Sequence, residues 1–286
     1  MSKRLGKMLA GAVMGATRLQ KPWRRAATRL RVSEALKQRH WVSTPRGRIL
    51  FVSPHPRALE YPRDFAAREP ETRAWIDAFV PPCVFWDIGA NIGAYSLYAA
   101  LRPGIEVLAF EPAAASYLAL CENVDANARH ESIRAYCIAF NDRTMLATLN
   151  MEDVNAGGFP NAFGAERNAD GQMLKTTSRQ GAVGFAIDDF RASFDLPVPN
   201  YLKLDIDGIE DKVLIGGSKT LANPALRGIM IEMTKDGSKR NDATVAALAQ
   251  GGFRFVRWGI DTGLGALNAE FARDDAAPTA AAAAAR

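Results

Sequence analysis

The chain has 286 residues, of which 48% are hydrophobic and 23% charged, a composition typical of soluble globular proteins. Its three cysteines lack the spacing of a zinc site or a disulfide framework, which favours a reducing cytoplasm. No apolar run approaches the roughly 20 residues that a membrane helix needs. Charge is uneven: residues 1–40 carry eleven basic residues and one acidic residue, although the whole chain has a net charge of only +5.

Residues 1–45 predict a basic amphipathic arm, because apolar residues recur at helical spacing with basic residues opposite, and Pro22 predicts a kink or a break. One interpretation is peripheral contact of residues 1–40 with the inner face of the membrane. A helix packed on the main domain, a frayed terminus, or a weak signal peptide over Met8–Ala16 are the alternatives. Nucleic-acid binding is not expected, since the arm lacks interleaved aromatic residues and a recognised motif.

Residues 46–274 predict one α/β domain, with an N-terminal edge or lid at 46–80 and a core at 81–274. Within the edge, the pattern favours a hairpin over 45–62 and a short helix from Glu71 to Val80. Strands and helices alternate in the core, which predicts a mainly parallel sheet with helices on both faces. Residues 275–286 are mostly alanine and predict a disordered tail.

The run from Phe85 to Gly93 predicts a buried strand that ends in a carboxylate and turns sharply before a helix. Gly89 and Gly93 have no Cβ, so the backbone can bend tightly there and a ligand can lie against it. A second strand, Ile105–Phe110, ends in Glu111-Pro112. An acid at that position is placed to accept hydrogen bonds from ribose hydroxyls.

Two cofactors are compatible with this arrangement. A nicotinamide dinucleotide requires G-x-G-x-x-G, but here the pattern is D-x-G-x-N-x-G, and Asp87 would repel a pyrophosphate. S-adenosylmethionine has no phosphate and carries a sulfonium and an ammonium, which suit an acid at the strand end. The pattern therefore favours S-adenosylmethionine, with a dinucleotide or an empty structural turn as alternatives. The residues predicted to contact the cofactor in this part of the chain are Asp87, Gly89, Ala90, Asn91, Gly93, Glu111 and Pro112.

The rest of the core predicts further strands, two helices and a long loop that serves as a substrate lid or is disordered. The loop is Asn155–Gly171, and the helices begin at Asp188 and at Ile209, the second ending at Leu221. The predicted strands are Ile133–Phe140, Met145–Met151, Gly184–Ile187, Leu202–Asp207 and Gly228–Met233, followed by an antiparallel pair at Phe253–Trp258 and Leu267–Ala272.

With these motifs in order, the chain resembles the FkbM family of S-adenosylmethionine-dependent methyltransferases over about residues 69–273. The resemblance rests on the segments Phe85–Leu97, Ala109–Pro112, Ala186–Phe190, Tyr201–Glu210 and Ile229–Glu232. It implies a class I Rossmann-like fold and methylation of a hydroxyl oxygen, of macrolide-type natural products or of cell-surface sugars. It also implies that Asn141 and Asp142 lie near the adenine, although Phe140-Asn141-Asp142 departs from the family's usual Leu-Ser-Asp.

The strand predicted up to Asp207 brings Lys203, Asp205 and Asp207 to one face, which is costly unless that face meets a site. Asp205 is the first candidate for a general base that takes the acceptor's proton, and Glu232 at the end of the fifth strand is the next. Asp207 and Glu210 also fit a capping box, and Lys203 and Glu232 fit structural ion pairs. Oxygen ligands suit magnesium, but no spacing requires it, so no metal is assigned.

These observations predict an S-adenosylmethionine-dependent O-methyltransferase that acts on a sugar hydroxyl of a surface polysaccharide or of a lipid-linked glycan precursor. Methylation of a small natural product is the alternative within the same chemistry. A nicotinamide-dependent oxidoreductase and a non-catalytic membrane-peripheral binding protein are the alternatives from other classes.

Overall fold

The computed structural model describes residues 2–167, 172–234, 239–260 and 266–273. The predicted alanine-rich tail and the end of the predicted loop at 155–171 lie outside the described residues. The chain divides into two compact units at Arg39 and His40.

The first unit contains two helices, α1 (Ser2–Ala16) and α2 (Pro22–Ala35). The predicted break at Pro22 is confirmed, and Pro22 begins α2, where its missing N–H removes no helical hydrogen bond. Arg29 ties the two helices together, because its Nε donates to Thr17 Oγ1 at 2.9 Å and its Nη2 to the Met14 carbonyl at 3.0 Å.

The second unit is built around a seven-stranded sheet. Its parallel strands are β3 (Cys83–Ile88), β4 (Ile105–Phe110), β5 (Ile133–Tyr136), β10 (Tyr201–Leu204) and β11 (Gly228–Thr234). Two antiparallel strands complete it, β12 (Phe253–Trp258) and β13 (Ala266–Arg273). The order is β12-β13-β11-β10-β3-β4-β5, which confirms the predicted parallel sheet and its antiparallel C-terminal pair.

Helices cover both faces of this sheet, as predicted. On one face, Phe85 and Val107 pack with α3 (Glu60–Asp64), α4 (Pro70–Asp77), α5 (Ala94–Ala100) and α6 (Ala114–Ala126). On the other, Trp86 and Leu108 pack with α7 (Ile187–Ser193), α8 (Glu210–Gly216), α9 (Ser218–Ala222) and α10 (Lys239–Gln250). Consecutive strand residues point to opposite faces, so both halves of each apolar run are buried.

A second, four-stranded sheet has the order β6-β9-β7-β8. Its strands are β6 (Ala139–Phe140), β7 (Met145–Met151), β8 (Asn161–Phe163) and β9 (Ser178–Phe185). The predicted strand Ile133–Phe140 is therefore wrong as one element, because Ala139 and Phe140 leave the main sheet and pair with β9. The predicted strand Gly184–Ile187 is wrong at both ends, since β9 begins at Ser178 and Ile187 already belongs to α7.

Three further predicted elements differ in extent. The N-terminal hairpin consists of β1 (Gln38–Thr44) and β2 (Gly47–Ser53) and so begins within the residues predicted as the arm. The strand predicted as Leu202–Asp207 ends at Leu204, because the chain turns at Asp207 and Gly208, whose φ angles are 61° and 123°. The predicted helix Ile209–Leu221 is two helices, interrupted at Gly217.

The hairpin is held against α6 by side-chain amides. Asn123 Oδ1 accepts from the Val52 N–H at 2.7 Å, and Asn127 Oδ1 accepts from the Leu50 N–H at 2.8 Å. The Nδ2 of the fully buried Asn123 also donates to the Ile92 carbonyl at 2.9 Å. One side chain thus joins β2 to the turn that follows β3.

Candidate active site

A cavity of about 700 Å³ lies at the carboxyl ends of β3, β4, β10 and β11. Its walls also include residues 61–71 from the N-terminal edge, residues 159–163 around β8, and Asn268 on β13. The carboxyl end of a parallel sheet is where ligands bind in open α/β folds, so this cavity is the candidate site.

The turn after β3 supplies Gly89, Ala90 and Asn91 to the cavity wall. Gly89 has φ +84°, and a Cβ there would lie 1.8 Å from the Asp205 carbonyl oxygen, so only glycine fits. Asn91 is left-handed at φ 50°, and its Oδ1 has no hydrogen-bond partner among the described residues. An unsatisfied acceptor at the cavity wall is available to a ligand.

Glu111 is buried and accepts two backbone hydrogen bonds. Its Oε2 accepts from the Asn91 N–H at 2.9 Å, and its Oε1 from the Ala113 N–H at 2.8 Å. Burial raises the pKa of Glu111 to about 7, although these two hydrogen bonds oppose the shift. Glu111 and Pro112 both line the cavity.

Four of the predicted cofactor residues are not among the described residues that line the cavity. Asp87 lies within β3, where its Oδ2 accepts from Ser96 Oγ at 2.6 Å; burial raises its pKa, and nearby Lys203 opposes the shift. Gly93 packs on Leu120, whose Cδ1 would lie 2.4 Å from an added Cβ. Asn141 Oδ1 accepts from the Asp142 N–H at 2.8 Å, and at this end of the cavity the wall is formed by Ile138, Ala139 and Phe140.

Lys203 and Asp205 form an ion pair in the cavity wall, with Nζ 2.6 Å from Oδ2. Only 2% of the Lys203 side chain is exposed. Burial lowers the pKa of Lys203, but the charges of Asp205, Glu69 and Asp87 outweigh it and raise that pKa above its usual value, so the ammonium stays protonated. Its Nζ also lies 5.2 Å from the centre of the Tyr95 ring, within cation–π range.

Asp207 also lines the cavity, held by the second sheet. Its Oδ2 accepts from the Asn161 N–H at 2.9 Å. Burial raises the pKa of Asp207 to about 7; that hydrogen bond opposes the shift, and the charges of Asp205, Glu210 and Glu111 add to it.

The structure forms only half of the capping box considered for Asp207 and Glu210. Helix α8 has Ile209 as its N-cap, with no side-chain capping hydrogen bond among the described residues. Glu210 does fold back, because its Oε1 accepts from the Gly208 N–H at 3.1 Å.

Glu232 lies on β11 and lines the cavity. Burial raises its pKa well above the usual value, and the carboxylates Asp205, Asp207 and Glu210 raise it further. The four predicted catalytic residues, Lys203, Asp205, Asp207 and Glu232, therefore meet at one cavity. Among the described residues, no group of three or more His, Cys, Asp or Glu side chains is arranged to hold a metal ion.

Several wall residues were not predicted from the sequence. They are Tyr61, Arg68, Glu69 and Glu71 from the N-terminal edge, Asn161 from β8 and Asn268 from β13. Glu69 is left-handed at φ 43° directly before Pro70, which the sequence does not predict, because proline favours an extended residue before it. The other residues have no local signature, because they reach the cavity through tertiary packing.

The charges around the cavity fit a cationic cofactor. Its wall includes six carboxylates besides Asp64 but only two basic side chains, and Lys203 is already paired with Asp205. The six carboxylates are Glu69, Glu71, Glu111, Asp205, Asp207 and Glu232. A pyrophosphate would be repelled here, whereas a sulfonium and an ammonium would be attracted. Glu111 and Asn91 are suited to hold the cofactor S-adenosylmethionine, which would supply an electrophilic methyl group.

Comparison with solved structures gives distant similarities. An FkbM methyltransferase from Methylobacillus flagellatus KT is 14% identical with a TM-score of 0.44, covering 66% of this chain and 43% of that one. Magnesium protoporphyrin IX methyltransferase from Synechocystis PCC 6803, solved with bound S-adenosylmethionine, is 11% identical with a TM-score of 0.46, covering 77% and 85%. Precorrin-6y C5,15-methyltransferase from Geobacter metallireducens GS-15 is 12% identical with a TM-score of 0.44, covering 72% and 89%. The chain thus spans less than half the length of the first of these proteins, and the search of curated proteins returned no match.

The strand order and the cavity at the strand ends define a class I methyltransferase of the Rossmann-like α/β type. The model of the methyltransferase FkbM domain matches residues 87–255, more than half of the chain. The chain therefore belongs to the FkbM methyltransferase family, and S-adenosylmethionine is its cofactor.

Proposed function

We propose that this methyltransferase transfers the methyl group of S-adenosylmethionine to a hydroxyl of a sugar, in a surface polysaccharide or in a lipid-linked glycan precursor. The observation that carries the proposal is Asp207, a carboxylate in the cavity wall with a pKa of about 7, beside the Lys203–Asp205 ion pair. A general base works best when its pKa lies near the working pH.

In this proposal the cofactor lies across the ends of β4, β3 and β10. Glu111 accepts hydrogen bonds from the ribose hydroxyls, and Gly89, Ala90, Asn91 and Pro112 line the crevice around the rest of the cofactor. Asp87, Gly93, Asn141 and Asp142 act from outside the cavity wall, by shaping the turn after β3 and the adenine end. Asp205 would favour a sulfonium bound beside it, because its negative charge attracts the cation.

Bound S-adenosylmethionine would supply the methyl group: the acceptor oxygen would bond to the methyl carbon, and the carbon–sulfur bond would break with its electron pair going to sulfur. The acceptor's proton passes to Asp207, and S-adenosylhomocysteine and the methyl ether leave. Lys203 fixes Asp205 through the 2.6 Å contact. Glu232 is the second candidate for the base. Alignment of sulfur, methyl and oxygen provides the larger share of catalysis, up to about 7–11 kcal/mol in well-oriented systems.

Replacement of each carboxylate by its amide tests the proposal. Asp207→Asn should lower kcat by about 10²–10⁴-fold, because the general base is lost, and calorimetry should show that S-adenosylmethionine still binds. Glu232→Gln and Asp205→Asn are the matched comparisons. If Asp207→Asn keeps wild-type turnover and one of the others does not, the base is that other residue.

Loss of a 14-dalton mass unit (about one CH₂) from surface glycans of a deletion strain would identify the acceptor, and unchanged glycans would favour a small natural product.

We further infer that residues 1–40 contact the inner face of a membrane. Leu19, between α1 and α2, and Trp23, in the first turn of α2, are 99% and 87% exposed, and basic residues lie on either side of them. Each basic residue near anionic lipid contributes about 1 kcal/mol. None of the described helices has both the length and the apolar character of a membrane span. This contact would bring the enzyme to a lipid-linked acceptor.

A further inference from the structure

The half of the cavity farthest from Glu111 includes two carboxylates that the proposed methyl transfer does not use. Glu69 and Glu71 come from the start of α4, and Asn268 from β13. None of the three lies within the residues matched by the family model, 87–255.

Glu71 is only 9% exposed, yet one of its carboxylate oxygens is unsatisfied. Its Oε1 accepts from Asn268 Nδ2 at 3.3 Å, whereas its Oε2 has no hydrogen-bond partner among the described residues. A buried carboxylate oxygen without a partner is costly, so a ligand that donates a hydrogen bond or carries a positive charge would stabilise it.

The backbone makes room for this carboxylate. A Cβ on Gly259 would lie 2.6 Å from Glu71 Oε1 and 2.7 Å from its Cδ, so a larger residue at 259 would displace the side chain. The Gly259 N–H donates to the Asn268 carbonyl at 2.6 Å, which fixes the end of β12 against β13. Glu71 is therefore held by packing at the cavity wall.

The position of Glu71 separates it from the proposed cofactor crevice. Glu111 follows β4, and Asn268 lies on β13, four strand spacings away in the order β4-β3-β10-β11-β13. At 4.7–4.9 Å per spacing this is about 19 Å. The reacting centre at Asp205 and Asp207 follows β10, between the two, so Glu71 lies on the acceptor's side.

The surrounding charge excludes one class of ligand. Glu69 and Glu232 share this half of the cavity with Glu71, and the one nearby cation from the edge, Arg68, lies over the Tyr61 ring with its Cζ 4.5 Å from the ring centre. A carboxylate or phosphate on the acceptor would meet acceptor oxygens here rather than hydrogen-bond donors, and the Glu71 carboxylate would repel it.

We propose that Glu71, with Asn268 and Glu69, binds a non-reacting ammonium or hydroxyl group of the acceptor, and that acceptors with a negative charge at this position are rejected. The inference rests on the proposed function, because it takes the methyl acceptor to be the ligand of this half of the cavity. It narrows that acceptor to neutral or amino sugars.

The test uses three monosaccharides that differ in charge, methyl glucoside, glucosamine and glucuronate, added to the full chain saturated with S-adenosylhomocysteine. Binding is followed by saturation-transfer NMR. We expect glucosamine and the glucoside to bind and glucuronate not to bind. Glu71→Gln should lower the affinity for glucosamine by about tenfold to a hundredfold, as expected for the loss of one charged hydrogen bond.

The matched control is Glu60→Gln, a half-buried carboxylate outside the cavity, which should change no sugar affinity. The Kd of S-adenosylhomocysteine and the melting temperature verify that each variant is folded. Binding of glucuronate as tight as that of glucosamine, no binding of any sugar, or sugar affinities unchanged in Glu71→Gln would overturn the inference. The inference would also be overturned if Glu71→Gln lost as much affinity for S-adenosylhomocysteine as for the sugar, because Glu71 would then bind the cofactor. Failure to bind S-adenosylhomocysteine at all would instead contradict the proposed function.

Discussion

At the scale of single residues, the cavity holds two carboxylic acids whose pKa values burial raises to about 7, Glu111 and Asp207. Both lie in a wall rich in other carboxylates, so ionising them in the free protein is unfavourable. A cationic cofactor reverses this preference, because it stabilises the charged form of each group. The protonation of these two carboxyl groups is therefore coupled to cofactor binding.

This coupling predicts that the affinity for S-adenosylmethionine depends on pH. Below pH 7, Glu111 holds a proton that cofactor binding must release, so the Kd should fall as pH rises from 5 to 7 and level off above the pKa. The slope should reach about tenfold per pH unit for each group that is linked in this way. Calorimetry in buffers of different ionisation enthalpy measures the released proton directly.

Asp207→Asn is the matched variant, since it removes the second titrating group and keeps an oxygen for the Asn161 N–H. This variant should release fewer protons when the cofactor binds, but it should still release the proton that comes from Glu111. A Kd that is constant between pH 5 and 8 in the wild type would show that neither acid contacts the cofactor's charge.

At the scale of elements, the core strands were predictable, whereas in the second sheet only β7 was predicted with its observed bounds. Three of the core strands, β3, β4 and β10, are short apolar runs buried on both faces. A carboxylate that directly follows such a strand lies at the carboxyl end of the sheet, however the helices pack. The second sheet lacks that signal: β8 has three residues, and Ser178 and Arg179 give β9 a polar start. Its pairing depends on partners distant in sequence.

The same distinction explains the candidate site. Strand-end residues such as Glu111 and Asp205 follow from position in the chain. Asn161 and Glu71 do not, because the first depends on the register of β8 with β7 and the second on the packing of α4 beside β13. Sequence reasoning thus predicted the sheet side of the cavity and not the covering walls.

A prediction at this scale concerns Asn123, which joins β2, α6 and the turn after β3. Asn123→Ala should lower the free energy of unfolding by about 2–5 kcal/mol, because it leaves the buried Val52 N–H and Ile92 carbonyl unsatisfied. It should also weaken cofactor binding, since Ile92 belongs to the turn that carries Asn91. Urea unfolding and calorimetry measure the two effects.

Asn127→Ala is the matched control at the C-cap of the same helix, because Asn127 bonds the Leu50 N–H and carbonyl of the same strand but lies nearer the surface. It should destabilise the protein less and leave the cofactor Kd unchanged. Equal effects of the two variants would mean that Asn123 does not link the hairpin to the cofactor turn.

At the scale of the whole molecule, charge is separated between the ends of the chain. Residues 1–40 carry a net charge of +10, so the remaining residues carry −5, given the total of +5. A basic segment attached to an acidic body should bind anionic surfaces through the segment alone, and increasing salt should weaken that binding.

Liposome flotation tests this expectation. The full chain should float with vesicles that contain anionic lipid and not with neutral ones, and a chain lacking residues 1–40 should float with neither. Leu19→Glu with Trp23→Glu should reduce flotation, because both side chains are exposed and apolar. Leu118→Glu, at an exposed leucine of the second unit, should not. Unchanged flotation without residues 1–40 would exclude the membrane contact. If added nucleic acid binds the full chain and prevents its flotation, the segment would instead be a nucleic-acid-binding segment.

The wall carrying Tyr61, Arg68 and Glu71 precedes the residues that define the family. If it selects the acceptor, then new substrates can evolve by exchange of an upstream segment while the machinery of methyl transfer is inherited unchanged. Chimaeras that swap this segment between paralogues would then redirect the enzyme without any mutation downstream of it.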